Sequence, residues 1–83
     1  MAASSSPNPV VFRMEWCRRQ KIKAHPGPER DVWDAEVEGL RDALLNRDHM
    51  SKYQHAPREV LERYVLGFQD GQTLIRATWV DLN

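Results

Sequence analysis

The order of hydrophobic and polar residues begins with a segment that alternates. Residues 10–17 place apolar side chains on one face and mostly charged or polar ones on the other, the apolar face consisting of Val10, Phe12, Met14 and Trp16. A period of two is typical of a half-buried strand. The two prolines and the glycine of residues 25–28 cannot sustain a strand. The pattern therefore predicts a first strand that begins at residue 10 and ends before residue 24.

A helical period follows. The apolar positions recur at steps of four, three and four, at Trp33, Val37, Leu40 and Leu44. This spacing places them on one face of a helix. Pro28 suits a first helical turn, where acidic residues are also favourable. We expect a helix over about residues 29–47, with Gly39 permitting close packing.

The remaining chain predicts a loop, a second helix and a last strand. Residues 48–56 show no period, and Pro57 then opens a helix whose apolar face consists of Val60, Leu61, Tyr64, Val65 and Phe68. Gly71 suits the left-handed position that ends many helices. Residues 73–82 are rich in apolar and β-branched residues, which favours a strand.

The element order is therefore β–α–α–β, and the expected fold class is α+β. Two helices would pack on one face of a small sheet of two strands, or of three if residues 52–55 add one. We expect a tail at residues 1–9 and a single domain at 10–83. The expected core consists of Trp33, Leu40, Leu44, Leu61, Tyr64 and Phe68, capped by Phe12 and Trp79. Both sheet edges would be open to a partner or to a second copy.

Composition narrows the class of protein. The chain has 83 residues, 41% hydrophobic and 29% charged, which is ordinary for one small globular domain and excludes a wholly disordered or collagen-like chain. No apolar run reaches the length of a membrane span. A single cysteine, Cys17, excludes an internal disulfide, so we expect a reducing, cytoplasmic setting.

Catalytic and metal chemistry find little support. The four possible soft or imidazole ligands, Cys17, His25, His49 and His55, lack the paired spacing of a zinc site. The glycines are isolated, so no phosphate-binding loop is present. Cations beside Cys17 could activate its thiol, which alone does not make an enzyme. We expect a non-enzymatic protein without metal or cofactor.

Charge is the more informative property. The net charge is zero, but residues 1–28 carry +4 and residues 29–48 carry −4. The basic end holds the segment Arg18, Arg19, Lys21 and Lys23, with Trp16 close by as an aromatic anchor. Such a segment could contact phosphates, so a nucleic-acid-binding protein is the alternative function.

The acidic end favours a protein partner. Asp34, Glu38 and Asp42 follow one another at intervals of four, which puts three like charges on one helix face at a cost in helix stability. We call these three residues the acidic stripe. The leading hypothesis is a protein-binding module, of the accessory, adaptor or inhibitor type, that occupies a larger partner through this stripe and a strand edge. Small modules of this kind are common among viral and phage accessory proteins.

Overall fold

The computed structural model describes residues 8–82, with side chains as far as Ala77. All the regular elements in that part of the chain are helices. The elements are α1 (Pro9–Lys23), α2 (Pro28–Leu44), a 3-10 helix (Met50–Tyr53) and α3 (Arg58–Leu82). Residues 8–82 contain no strand, so the predicted α+β class is wrong. The possible third strand near residues 52–55 is replaced by the end of the 3-10 helix and a turn.

The first predicted strand is helix α1. Asn8 caps it, its side-chain oxygen accepting a hydrogen bond from Val10 N at 2.9 Å, and Pro9 occupies the first turn. The buried residues are Val10, Met14 and Cys17, spaced four and three apart as in a helix. The apparent alternation arose because Phe12 and Trp16 are also apolar, although both are exposed. Asn8 and Pro9, the last two residues of the predicted tail, are the N-cap and the first residue of α1, and residues 1–7 lie outside the described part.

The predicted helix at 29–47 is confirmed in its main part as α2. It begins after Gly27, whose φ of 105° few other residues adopt. It ends at Leu44, because Asn46 takes a left-handed φ of 55°. The amide of Arg47 then bonds to the carbonyl of Asp42 at 2.9 Å, the pattern of a Schellman termination.

The second predicted strand is the C-terminal half of α3. Gly71 was expected to end the helix, but among the described residues Gly27 is the only glycine with positive φ, and Gly71 is buried within α3. Its small size serves packing instead. A Cβ added at Gly71 would lie 2.6 Å from the Cβ of Ala43, and one added at Gly39 would lie 2.7 Å from Phe68 N. The backbones of α2 and α3 therefore approach closely through glycine.

Helix α2 lies between the other two. Ala35 clusters with Val60 and Tyr64, while Gly71 contacts Leu40 and Ala43, so α2 and α3 run in the same direction. The connection over residues 45–57 must consequently return along α2. Helix α1 folds back on α2, and Leu74 and Ile75 of α3 pack against the core cluster that α1 and α2 form. The Cα atoms span 41 × 26 × 14 Å, a thin layer that leaves broad helix faces uncovered.

The expected core is partly right. Leu40 and Tyr64 are fully buried, and Trp33 and Phe68 pack at the margins of the two core clusters. Leu44 is 36% exposed and Phe12 is 55% exposed, so Leu44 does not belong to the core and Phe12 does not cap it. The side chain of Trp79 lies outside the described residues.

Candidate partner-binding surfaces

A buried glutamate joins all three helices. Glu36 of α2 is 1% exposed, and its Oε2 accepts hydrogen bonds from Arg13 Nε (3.2 Å) and Nη2 (3.0 Å) of α1. Arg63 Nε of α3 forms an ion pair with Oε1 at 2.8 Å, without the alignment of a hydrogen bond. Two guanidinium groups therefore offset the cost of burying this carboxylate.

Two tryptophans flank that cluster. The guanidinium of Arg13 lies 4.2 Å from the ring centroid of Trp16, and that of Arg63 lies 4.5 Å from the ring of Trp33. The two indoles meet edge to face at 5.5 Å. Each arginine thus serves Glu36 and an aromatic ring together, which fixes its position.

Cys17 belongs to the same cluster and is not a reactive thiol. It is fully buried, and its Sγ donates to Glu36 Oε2 at 3.2 Å. Burial and the neighbouring carboxylate raise the pKa of Cys17 to about 12. The proximity of Arg18 and Arg19 in sequence suggested activation, but the helix directs both arginines to solvent.

A second buried carboxylate anchors the returning connection. Asp42 Oδ2 accepts from Tyr64 Oη at 2.7 Å and lies 2.9 Å from His49 Nδ1. The backbone N–H of His49 donates to Tyr64 Oη at 2.8 Å. Burial and the bond to Asp42 raise the pKa of Tyr64 to about 12. Asp42 is 1% exposed, so these bonds, with the nearby Arg47, satisfy it inside the protein.

Glu38 holds the same connection one turn earlier. It accepts from Lys52 Nζ at 2.8 Å and from the hydroxyl of Tyr53, whose ring stacks on Tyr64. Burial alone would raise the pKa of Glu38, but the bonds from Lys52 and Tyr53 outweigh it and lower the pKa. Burial and Glu38 together raise the pKa of Tyr53.

This network has ingredients of a chemical site. Ligand atoms of Glu38, Asp42 and His49 lie within 4.8 Å of one another, and a histidine held by a carboxylate is a common general base. However, Lys52 and Arg47 already neutralise the two carboxylates. Four recesses on the described surface are lined by other residues and not by His49. The contacts account for a structural clamp on residues 45–57.

The acidic stripe is not an open acidic surface. Asp34 is exposed and pairs with Lys21 at 2.8 Å, Glu38 is mostly covered, and Asp42 is buried. The expectation that all three face a partner is therefore corrected, because the stripe turns from solvent into the contact with the returning connection. The predicted strand edge through which a partner would bind is also wrong, because residues 8–82 contain no strand.

The basic segment is largely free. Arg18, Arg19 and Lys23 are exposed and form no ion pair within the described part of the chain, whereas Lys21 is half-buried against Asp34. Trp16 is 38% exposed, which leaves one edge available. Three of the four cations of the predicted segment are therefore exposed, on a helix and not on a strand, and their role in binding stays a prediction.

A groove between α2 and α3 was not predicted. It encloses about 610 Å³ and is lined by apolar and acidic residues, Pro28, Glu29, Val32, Glu59, Glu62, Arg63 and Leu66. Leu66 is 41% exposed, and Glu59 makes no ion pair among the described residues. Arg63 directs its charge to Glu36. The groove therefore has an apolar floor and an acidic rim, which we call the acidic groove.

Sequence reasoning missed this groove because its acids come from two helices. Glu59 and Glu62 belong to α3, where Glu62 pairs with Arg58 at 3.0 Å, whereas Glu29 belongs to α2. Leu66 lies off the expected apolar face of its helix. A helical plot that separated Leu66 from the buried face would have shown the exposed leucine, but not the opposing helix.

Comparison with known proteins gives no match, whether to a family model, to a curated protein or to a solved structure. Within the described residues, none of the helices combines the length and hydropathy needed to cross a bilayer.

Proposed function

We propose that this chain is a non-enzymatic protein-binding module that receives a basic, amphipathic helix of a partner protein in the acidic groove. The observation that carries the proposal is that exposed Leu66 and half-buried Val32 lie beside Glu59, an acid that has no ion-pair partner among the described residues. A partner with leucine-like and lysine-like side chains on one face would cover the apolar floor and meet the rim charges. A reducing compartment fits the buried thiol of Cys17.

The acidic groove suits a helix better than a small molecule. It is open along its length and lies between two helices that run in the same direction, so a third helix can lie alongside them. Exposed apolar surface with a charged rim is the usual anatomy of a protein interface. Catalysis has no comparable support, because the carboxylate–histidine pair of Asp42 and His49 holds the returning connection in place.

Nucleic-acid binding is the second candidate. It is supported by Arg18, Arg19 and Lys23, which project from α1 without ion pairs among the described residues. Phosphate contacts through these cations would weaken steeply with salt. The neighbouring Glu15 on the same face reduces the positive field, and so we place this candidate second.

The test is the titration of a labelled amphipathic peptide of leucine and lysine, about fifteen residues long, followed by fluorescence anisotropy. A peptide in which glutamate replaces lysine is the matched ligand control. We expect the lysine peptide to bind, and Glu59→Lys to weaken it by about tenfold or more, since one rim charge changes sign. Leu66→Ala should also weaken it by removing part of the apolar floor.

Glu15→Lys is the matched protein control, because it makes the same charge change at an exposed residue of α1. It should leave the affinity for the peptide nearly unchanged. Equal binding of both peptides, or equal loss with Glu15→Lys and Glu59→Lys, would refute the proposal. Salt-dependent binding of a single-stranded oligonucleotide, abolished by Arg18→Glu with Arg19→Glu, would favour the second candidate.

A further inference from the structure

Helix α1 carries on its outer side the kind of surface that the acidic groove is proposed to receive. Its buried residues face α2, while four apolar side chains point outward at least one-third exposed: Val11 (41%), Phe12 (55%), Trp16 (38%) and Ile22 (75%). Between them lie the exposed cations Arg18, Arg19 and Lys23, which have no ion pair among the described residues, and one exposed acid, Glu15. The outer face of α1 therefore combines apolar and basic side chains.

We infer that the partner helix is α1 of a second copy of this chain, and that two copies form a reciprocal dimer in which each α1 occupies the acidic groove of the other. This inference rests on the proposed function of the groove. It identifies the basic amphipathic helix as one that the chain itself supplies.

Charge complementarity supports a second copy. Arg18, Arg19 and Lys23 of α1 and Glu59 on the groove rim are exposed and form no ion pair among the described residues, so two copies can pair these opposite charges with each other. Arg18 and Arg19 would meet Glu59 and Glu62 on the groove rim. A two-fold arrangement makes this contact twice with one set of residues, which is the commonest form of self-association.

The shape of the monomer points the same way. The layer of helices is only 14 Å thick between Cα atoms, and the acidic groove between the first turns of α2 and α3 is open to solvent. Ile22 and Phe12 remain exposed in one copy. A second α1 in the groove would bury these side chains against Val32 and Leu66 and add a helix layer, which is favourable for exposed apolar surface.

Four chains test the dimer by light scattering and sedimentation at micromolar concentration and low salt. They are the full chain, a groove-reversed chain (Glu59→Lys with Glu62→Lys), an α1-reversed chain (Arg18→Glu with Arg19→Glu), and the control Arg76→Glu, which changes an exposed charge on α3. Circular dichroism of each chain verifies that helix content is kept. We expect the full chain and the control to have twice the mass of one chain, and each reversed chain to be monomeric.

Mixing the two reversed chains gives the decisive result. Their charges are then complementary at both contacts, so a heterodimer should form although neither chain dimerises alone. A monomeric full chain, dimers unaffected by either reversal, or a mixture that stays monomeric would each overturn the inference.

The proposed function can fail separately. In the α1-reversed chain the groove is intact, but the reversed α1 of a second copy no longer occupies it. The leucine–lysine peptide is titrated into this chain. Peptide binding by this chain, together with a monomeric full chain, would retain the proposed function and reject the dimer. A charge-swapped heterodimer without peptide binding would confirm the dimer and reject the groove as a general site for basic helices.

Discussion

Glu36 and Glu59 are both helical glutamates, yet the protein uses them in opposite ways. Glu36 is 1% exposed and lies between the guanidinium groups of Arg13 and Arg63, so its charge is neutralised inside the fold. Glu59 is exposed on the rim of the acidic groove and has no ion pair among the described residues. The difference shows that counting acids on a helix does not locate a binding surface. The charge that is available to a partner is the charge that folding leaves unpaired.

The largest expected effect comes from removing the buried carboxylate. Glu36→Ala leaves Arg13 and Arg63 half-buried without their counter-ion, and breaking such a pair from one side typically costs about 3–5 kcal/mol. The free energy of unfolding, measured with urea, checks this. Glu59→Ala is the matched control and should change stability by less than about 0.5 kcal/mol. Equal losses of stability in the two variants would contradict the different roles of buried Glu36 and rim Glu59.

A somewhat smaller loss is expected where α2 and α3 touch. In Gly39→Ala the new methyl group would meet backbone atoms of Tyr64 and Phe68, which cannot move aside as a side chain can. Overpacking costs about 1–3 kcal/mol or more, and the gain of up to about 1 kcal/mol in helix propensity does not offset a backbone clash. Thermal unfolding should show the loss. Gln72→Ala, on the exposed side of α3, should leave the melting temperature unchanged.

Sequence patterns could predict the middle of this fold and not its ends. The stripe of Trp33, Val37 and Leu40 identified α2, because that helix buries one face against two neighbours. Helix α1 was not predicted, because its exposed Phe12 and Trp16 produce the alternating pattern that is typical of a strand. A better signal was the Asn8–Pro9 pair, which is typical of a helix start.

The second strand was predicted because Gly71 was interpreted as the end of the preceding helix. Gly71 suits a helix end, but it is also the residue that lets α3 lie against Ala43. Local sequence cannot separate these two uses of glycine, since the difference lies in a helix distant in sequence. The acidic groove escaped prediction for the same reason, because Val32 and Leu66 meet only in the folded chain.

A moderate effect is expected at the clamp on the returning connection. Tyr64→Phe keeps the buried ring but removes the hydroxyl that donates to Asp42 and accepts from the amide of His49. Hydrogen bonds to charged groups contribute about 1.5–3 kcal/mol. Urea unfolding should show this loss, and amide hydrogen exchange should rise over residues 45–57. Unchanged exchange there would contradict the clamp.

The smallest expected effect is a pH dependence at Glu38. Its pKa is lowered in the folded protein, so its contribution to stability is complete above the unfolded value of about 4.3 and is lost as the pH falls through the folded value. Glu38→Gln should therefore flatten the acid side of the stability profile. Gln72→Ala, which removes no titratable group, should leave the slope unchanged. An identical profile for wild type and Glu38→Gln would contradict the assignment.

The most direct test of the contrast between paired and unpaired acids is backbone amide NMR of the α1-reversed chain during titration with the leucine–lysine peptide. We expect the shift changes to concentrate along the acidic groove, at Val32, Glu59 and Leu66, and the amides of Glu38 and Asp42 to keep their positions. Changes centred on Glu38 and Asp42, with the groove silent, would contradict it.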